Sequence, residues 1–173
     1  MKKYKLTNET IVHLGFTLYR IEALMDFSDV KTGDKGGFVQ SENNLSQLGN
    51  AWVYGNAKVY GNAKVCGDAE VYCDAEVYDN AEVYDNAKVY GKAEVRGDAK
   101  VYKNGDYIVF KNWWSSGRYF TWTRSNNMWK VGCFYGNGED LIKKAYADSE
   151  ESGREYERVV RYVESILADE LNK

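Results

Sequence analysis

One six-residue unit runs through the middle of the chain without interruption. Ala recurs at every sixth position from Ala51 to Ala99, and Val follows two places after each, from Val53 to Val101. The unit is Ala-x-Val-Tyr followed by two turn residues. Side chains alternate between the faces of a short strand, so Ala and Val share one face while x and Tyr share the other. Gly55-Asn56, Gly61-Asn62, Gly67-Asp68, Cys73-Asp74, Asp79-Asn80, Asp85-Asn86, Gly91-Lys92 and Gly97-Asp98 are the corners. Most of these residue types tolerate positive φ, and Cys73 and Lys92 are the poorer fits. The 173 residues include no Pro, so Gly, Asn and Asp must make the turns.

The nine units within residues 49–104, with Val-Tyr-Gly-Asn-Ala-Lys as the best formed, resemble the hexapeptide repeats of left-handed parallel β-helix proteins. The resemblance implies three hexads per triangular coil, hence three full coils, each about 4.8 Å above the last. Residues i and i+18 then become vertical neighbours. The inward columns are Val53/Val71/Val89, Val59/Val77/Val95 and Val65/Val83/Val101. The outward columns are Tyr54/Tyr72/Tyr90, Tyr60/Tyr78/Arg96 and Cys66/Tyr84/Tyr102, beside Trp52/Glu70/Lys88, Lys58/Glu76/Glu94 and Lys64/Glu82/Lys100.

An open β-helix exposes strand edges and an apolar cross-section, so both ends need caps. Residues 1–48 read as an N-terminal β cap, with short strands at Tyr4–Leu6, Ile11-Val12 and Phe16–Ile21. Asn8-Glu9 and Lys31–Gly37 read as turns. Leu18–Ile21, Gly36–Val39 and Asn44–Gln47 resemble bacterial and prophage hexapeptide-repeat proteins, a group described mostly as transferase-like or polymer-forming. The expected fold is mainly β: this cap, a short left-handed parallel β-helix over 49–104, and a small α+β module over 105–173.

Many proteins of that family are acyltransferases with a His general base and an extended loop. The only His here is His13, outside the repeats, and no hexad carries an insertion. The resemblance therefore transfers a fold and no catalytic residues. His13, within Ile11-Val12-His13-Leu14, reads as a strand or cap residue. No cofactor is expected, and one His cannot supply a three-His metal site. Cys66, Cys73 and Cys133 suit reduced thiols better than a disulfide framework. The start MKKYKLTNET has no apolar segment of the kind a signal peptide needs, and no run is long enough to cross a bilayer. The expectation is cytoplasmic.

Two features depart from a plain shaft. Asp68, Glu70, Asp74, Glu76, Asp79, Glu82 and Asp85 form an acidic belt within about one coil. They read as a self-paired surface or as a mimic of nucleic acid. Beyond the repeat, residues 103–137 carry Lys103, Lys111, Arg118, Arg124 and Lys130 against Asp106 alone, interleaved with aromatics. Basic and aromatic side chains together hold phosphates, stack bases or anchor a protein interface. Trp113, Trp114, Arg118, Trp122, Arg124, Trp129 and Lys130 are the candidate binding residues. Strands are expected at Tyr107–Lys111, Tyr119–Arg124 and Met128–Cys133. Amphipathic helices follow over Glu139–Ser149 and from a capping box at Ser152/Glu155 onward, with Tyr156, Val159, Val160, Val163, Ile166, Leu167 and Leu171 on one face.

The expected function is a non-catalytic macromolecule-binding protein, a phage or prophage accessory protein contacting a host protein or protein–nucleic acid complex. Its sharpest version is an inhibitor of a nucleic-acid-handling defence complex, of the anti-CRISPR kind. The alternatives are an acyltransferase with an atypical catalytic group and a structural, polymer-forming protein. Direct nucleic-acid contact through the C-terminal module and a homo-oligomer (dimer or trimer) stay open, and no membrane partner is expected.

Overall fold

In the computed structural model, which describes residues 2–171, the chain opens with strands β1 (Tyr4–His13) and β2 (Phe16–Ala23), an antiparallel hairpin turned by Leu14 and Gly15 at positive φ. Tyr4–Leu6 and Ile11-Val12 belong to the one strand β1. Asn8-Glu9 lies at its bulge between Leu6 and Thr10, not in a turn. Strand β3 (Lys35–Val39) pairs with β2 and then, in parallel, with the second hexad at Lys58 and Val59.

Each hexad contributes one two-residue strand: β4 (Trp52–Val53), β5 (Lys58–Val59), β6 (Lys64–Val65), β7 (Glu70–Val71), β8 (Glu76–Val77), β9 (Glu82–Val83), β10 (Lys88–Val89), β11 (Glu94–Val95) and β12 (Lys100–Val101). Strands eighteen residues apart pair in parallel, giving three faces, β4-β7-β10, β5-β8-β11 and β6-β9-β12. The Val columns run up the interior, and every repeat Ala and Val is fully buried. The molecule is a parallel β-solenoid of about four turns, one more than the nine hexads supply. Val39 pairs with Val59 and Leu45 bridges Val65, so part of the expected cap is itself a coil.

At each corner the first residue takes the left-handed conformation, from Gly49 (φ 68°) through Cys73 (63°), Asp79 (59°) and Asp85 (56°) to Gly97 (65°). Lys92 sits at the second corner position and is not among the residues at positive φ, so its fit is ordinary.

Some outward residues are nevertheless buried. Tyr60 and Tyr78 stack at 4.9 Å beneath the hairpin, packed with Leu18 and Phe38. Trp52 lies under Tyr4 and Phe27, edge-on to both. Tyr72 and Tyr90 stack at 5.2 Å, while Tyr54 donates its hydroxyl to Asp29.

In these parallel ladders each coil both donates to and accepts from its neighbours. Trp52, Lys58 and Lys64 donate their N–H groups to Ala69, Ala75 and Ala81 of the next coil. The first and last repeat coils therefore leave backbone carbonyls and N–H groups with no further repeat coil to pair with, and these need partners. Donors meet the first. Lys3 Nζ donates to Ala51 O (2.8 Å), Asn44 Nδ2 donates to Ala63 O (2.9 Å), and Phe38 N–H donates to Ala57 O (2.9 Å). On the last, the Tyr107 hydroxyl donates to Lys88 O (3.0 Å), and side-chain acceptors reach all three faces. Asn104 Oδ1 accepts from Lys88 N–H (2.9 Å), Thr121 Oγ1 from Glu94 N–H (3.0 Å) and Ser125 Oγ from Lys100 N–H (2.7 Å).

Thr121 and Ser125 belong to the C-terminal module. Its antiparallel sheet is β13 (Tyr107–Lys111), β14 (Tyr119–Thr123), β15 (Met128–Val131) and β16 (Phe134–Gly136), in that order. The fourth strand was not anticipated, and the second and third end earlier than expected. One face turns to the solenoid, where Tyr107 joins its core. On the other, Phe120, Trp122, Trp129 and Val131 pack against helices α1 (Gly138–Asp148) and α2 (Glu150–Leu171). Asn137 caps α1 by accepting from Asp140 N–H at 2.9 Å. The start of α2 lies before the expected Ser152 box. Ser149 Oγ accepts from Ser152 N–H (3.1 Å), so Ser152 is already helical. Gly153 lets the helices meet, since a Cβ there would fall 2.2 Å from the Tyr146 ring. The side chain of Leu171, expected on the apolar face, lies outside the described residues.

Candidate functional site

The seven basic and aromatic candidates separate by burial. Trp122 and Trp129 are 1% exposed within the module's core, and the Trp122 indole N–H donates to Asn127 Oδ1 (2.8 Å). Lys130 is 9% exposed, sits 2.8 Å from Glu94 Oε2 and also donates to Gly132 O, tying sheet to solenoid. Arg124 spans Glu170, Asp106 and Gly105 O. These four carry internal contacts, and Trp122, Trp129 and Lys130 are out of reach of a partner. Alternation on β14 and β15 explains this: one face of the sheet meets the helices and the other the solenoid, leaving neither free.

The remaining candidates lie outside the core. Trp113 is 70% exposed and crosses Trp114 edge-on at 4.8 Å. Trp114 is half-buried, edge-on to Tyr156 (5.1 Å), and its buried indole N–H meets no partner among the described residues. Arg118 is exposed and drapes over Gly132.

Two side chains outside those seven candidates complete a surface around Trp113. Val159 and Tyr162 of α2 line a groove of about 350 Å³ together with Phe110, Trp113, Glu155 and Arg158. Tyr162 is 57% exposed although it lies on a helix whose neighbouring apolar positions are core. The available signal was that Tyr162 falls outside the stripe of Tyr156, Val159, Val160 and Val163. A second hollow, about 400 Å³, lies on the other side of β13, lined by Tyr90, Lys92, Tyr107, Val109 and Tyr119.

The acidic belt is mostly engaged by the next coil. Glu70 pairs with Lys88, Asp74 with Lys92, Asp79 with Arg96 and Glu82 with Lys100, at 3.0, 2.7, 2.8 and 3.8 Å. Asp68 accepts from Asn50 (2.9 Å), and Asp85 is exposed at a corner. An eighteen-residue offset places Glu70, Asp74 and Glu82 directly beneath their cations, and Arg96 reaches Asp79 across seventeen.

Glu76 is the most enclosed of the belt. His13 Nε2 lies 2.9 Å from its Oε2, Tyr60 donates its hydroxyl at 3.0 Å, and Lys58 Nζ approaches at 3.2 Å. Burial alone would raise the Glu76 carboxyl. The hydrogen bond to His13 and the charge of Lys58 outweigh it and hold the group below the ordinary carboxylate range. His13 ends β1 and fastens the hairpin to the β5-β8-β11 face. No Ser, Thr or Cys is described in contact with it that could serve as a nucleophile.

Among the described residues no group of three or more His, Cys, Asp and Glu is placed to hold a metal ion, and no helix is long and apolar enough to cross a membrane. Compared with known proteins, the chain matches no family model and no curated protein.

Proposed function

We propose that this is a non-catalytic binding protein: a rigid β-solenoid that presents the C-terminal module to a host macromolecule. One observation carries the reading. Trp113 and Tyr162 stand exposed in one groove that Phe110, Val159 and Arg158 also line. Tyr, Trp and Arg around an apolar hollow are the residue types that dominate protein-contact energetics. Exposed rings are also a cost to a soluble chain unless something covers them.

The inhibitor version, of the anti-CRISPR kind in a phage or prophage setting, rests on this surface. The acidic belt supports it less, since ion pairs within the solenoid already neutralise most of its carboxylates. A paired carboxylate offers little to a basic nucleic-acid channel.

The test is affinity capture from a bacterial lysate on immobilised protein, read by mass spectrometry, with W113A and Y162A alongside. Both side chains are largely exposed, so both variants keep the fold. A specific partner that wild type retains and both variants lose is the expected result. Saturable binding of acetyl-coenzyme A, or capture that neither substitution weakens, contradicts the reading.

A further inference from the structure

We propose that the outer edge of β13 is a docking edge for an extended, acidic and apolar segment of a partner protein, which joins the C-terminal sheet as a fifth strand. This rests on the binding reading above and names how the contact is made.

β13 pairs with β14 on one side and with no described strand on the other. Which of its backbone groups are free follows from register. Asn112 N–H donates to Arg118 O and Arg124 N–H donates to Asp106 O, both at 2.8 Å. In an antiparallel ladder the bonded pairs alternate, so Ile108 and Phe110 also bond to β14. The N–H and C=O groups of Val109 and Lys111 therefore point outward.

Soluble proteins usually blunt such edges. The other edges here are blunted. β1 carries a bulge, with Glu9 bound to Arg20 and Lys35, and β16 is three residues long. β13, Tyr-Ile-Val-Phe-Lys, has no bulge and no Pro. It runs between the two hollows, the Tyr90/Tyr119 side and the Trp113/Tyr162 side. A strand laid along it would send alternate side chains into one hollow and then the other.

Charge selects the occupant. Lys111 lies at the edge with no described ion pair, its ammonium 5.8 Å from the Tyr119 ring, whereas Lys92 and Arg158 at the two hollows already pair with Asp74 and Glu155. Of the five basic residues in segment 103–137, Arg124 and Lys130 are engaged internally, and Lys103, Lys111 and Arg118 have no described ion pair. Acidic residues flanking apolar ones on the incoming strand complement these cations.

The test uses three sets of short synthetic peptides: alternating Glu and Val or Ile, the same with Lys for Glu, and the Glu set with a central Pro. Binding is followed by fluorescence anisotropy to wild type, V109P and K111E. V109P removes one outward N–H from an edge strand, where Pro is tolerated, and its Tm reports that the fold is kept. The expected result is binding of the Glu set alone. V109P weakens it about tenfold, the upper weight of one hydrogen bond, and K111E weakens it several-fold. Binding of no set, equal binding of the Glu and Lys sets, or indifference to V109P overturns the proposal. So does a dimer of this chain that V109P dissociates. Lysate capture that W113A abolishes and V109P leaves intact would remove the strand-pairing mode while keeping the binding function.

Discussion

The hydroxyl of Thr121, in the middle of the C-terminal sheet, accepts the backbone N–H of Glu94 at 3.0 Å, on the open edge of the last coil. With Asn104 and Ser125 it gives each face of the solenoid one side-chain acceptor. The module is thus both the candidate contact surface and the lid of the β-solenoid. T121V, nearly isosteric, leaves the Glu94 N–H buried and unpaired. We expect a loss of about 1–3 kcal/mol in urea unfolding, with the Glu94 amide gaining hydrogen-exchange rate. Unchanged stability would show that the edge is satisfied some other way.

Cys73 holds a corner at φ 63° where most equivalent positions are Gly. Left-handed backbone costs a residue with a Cβ about 1–2 kcal/mol, offset in part by the chain entropy glycine loses on folding. C73G is expected to stabilise by up to about 1 kcal/mol, a rise of about 2–4 °C in Tm for a chain of this size. The reverse holds at Gly97, where a Cβ would fall 2.0 Å from the Tyr135 hydroxyl. G97A should lower Tm and disturb the lid.

Burial pulls the Lys3 ammonium down from 10.5 to about 8, against an upward pull from Asp68. Between those values the unfolded chain binds more protons than the fold, so stability rises with pH. Tyr4, Tyr60, Tyr78 and Tyr107 are pushed the other way, burial holding each hydroxyl above its ordinary 10.0. Above about pH 10 the unfolded chain sheds protons that the fold retains, and stability falls. Urea midpoints measured across this range should therefore pass through a maximum. K3M lowers stability throughout, because Ala51 O loses its donor, and removes the rising limb. Equal slopes in both proteins below pH 10 would refute the assignment.

Glu76 joins three partners on one carboxylate, two of them from outside its own strand's column. E76Q should cost about 1–3 kcal/mol and loosen the β1–β2 hairpin, seen as faster exchange near His13. Since the carboxyl lies below its ordinary range in the fold, its contribution is present at neutral pH and is lost as pH falls through the folded value. Full stability in E76Q at neutral pH would contradict this.

The solenoid could be read from the hexads because the period alone dictates which residues stack. The Val columns and the ion pair between Glu70 and Lys88 follow from adding eighteen. The extra turn could not, because Val39 and Leu45, though six apart, stand twenty residues from their partners and so fall out of phase with the hexads. In the module, composition marked aromatics and bases as a set, but only packing on both faces of the sheet separates Trp129 and Lys130 from Trp113. Tyr162 falls outside the apolar stripe of α2, but nothing in the sequence places it in one groove with Trp113. The open side of β13 is a matter of register, visible only once Asn112 is seen to bond Arg118.

Amide hydrogen exchange on the captured complex, compared with the free protein, tests the binding surface most directly. Protection confined to residues 107–113 and 155–162 is the predicted result, with the amides of Val109 and Lys111 slowed most. Protection that instead follows the belt from Asp68 to Asp85, with residues 107–113 unchanged, would contradict it.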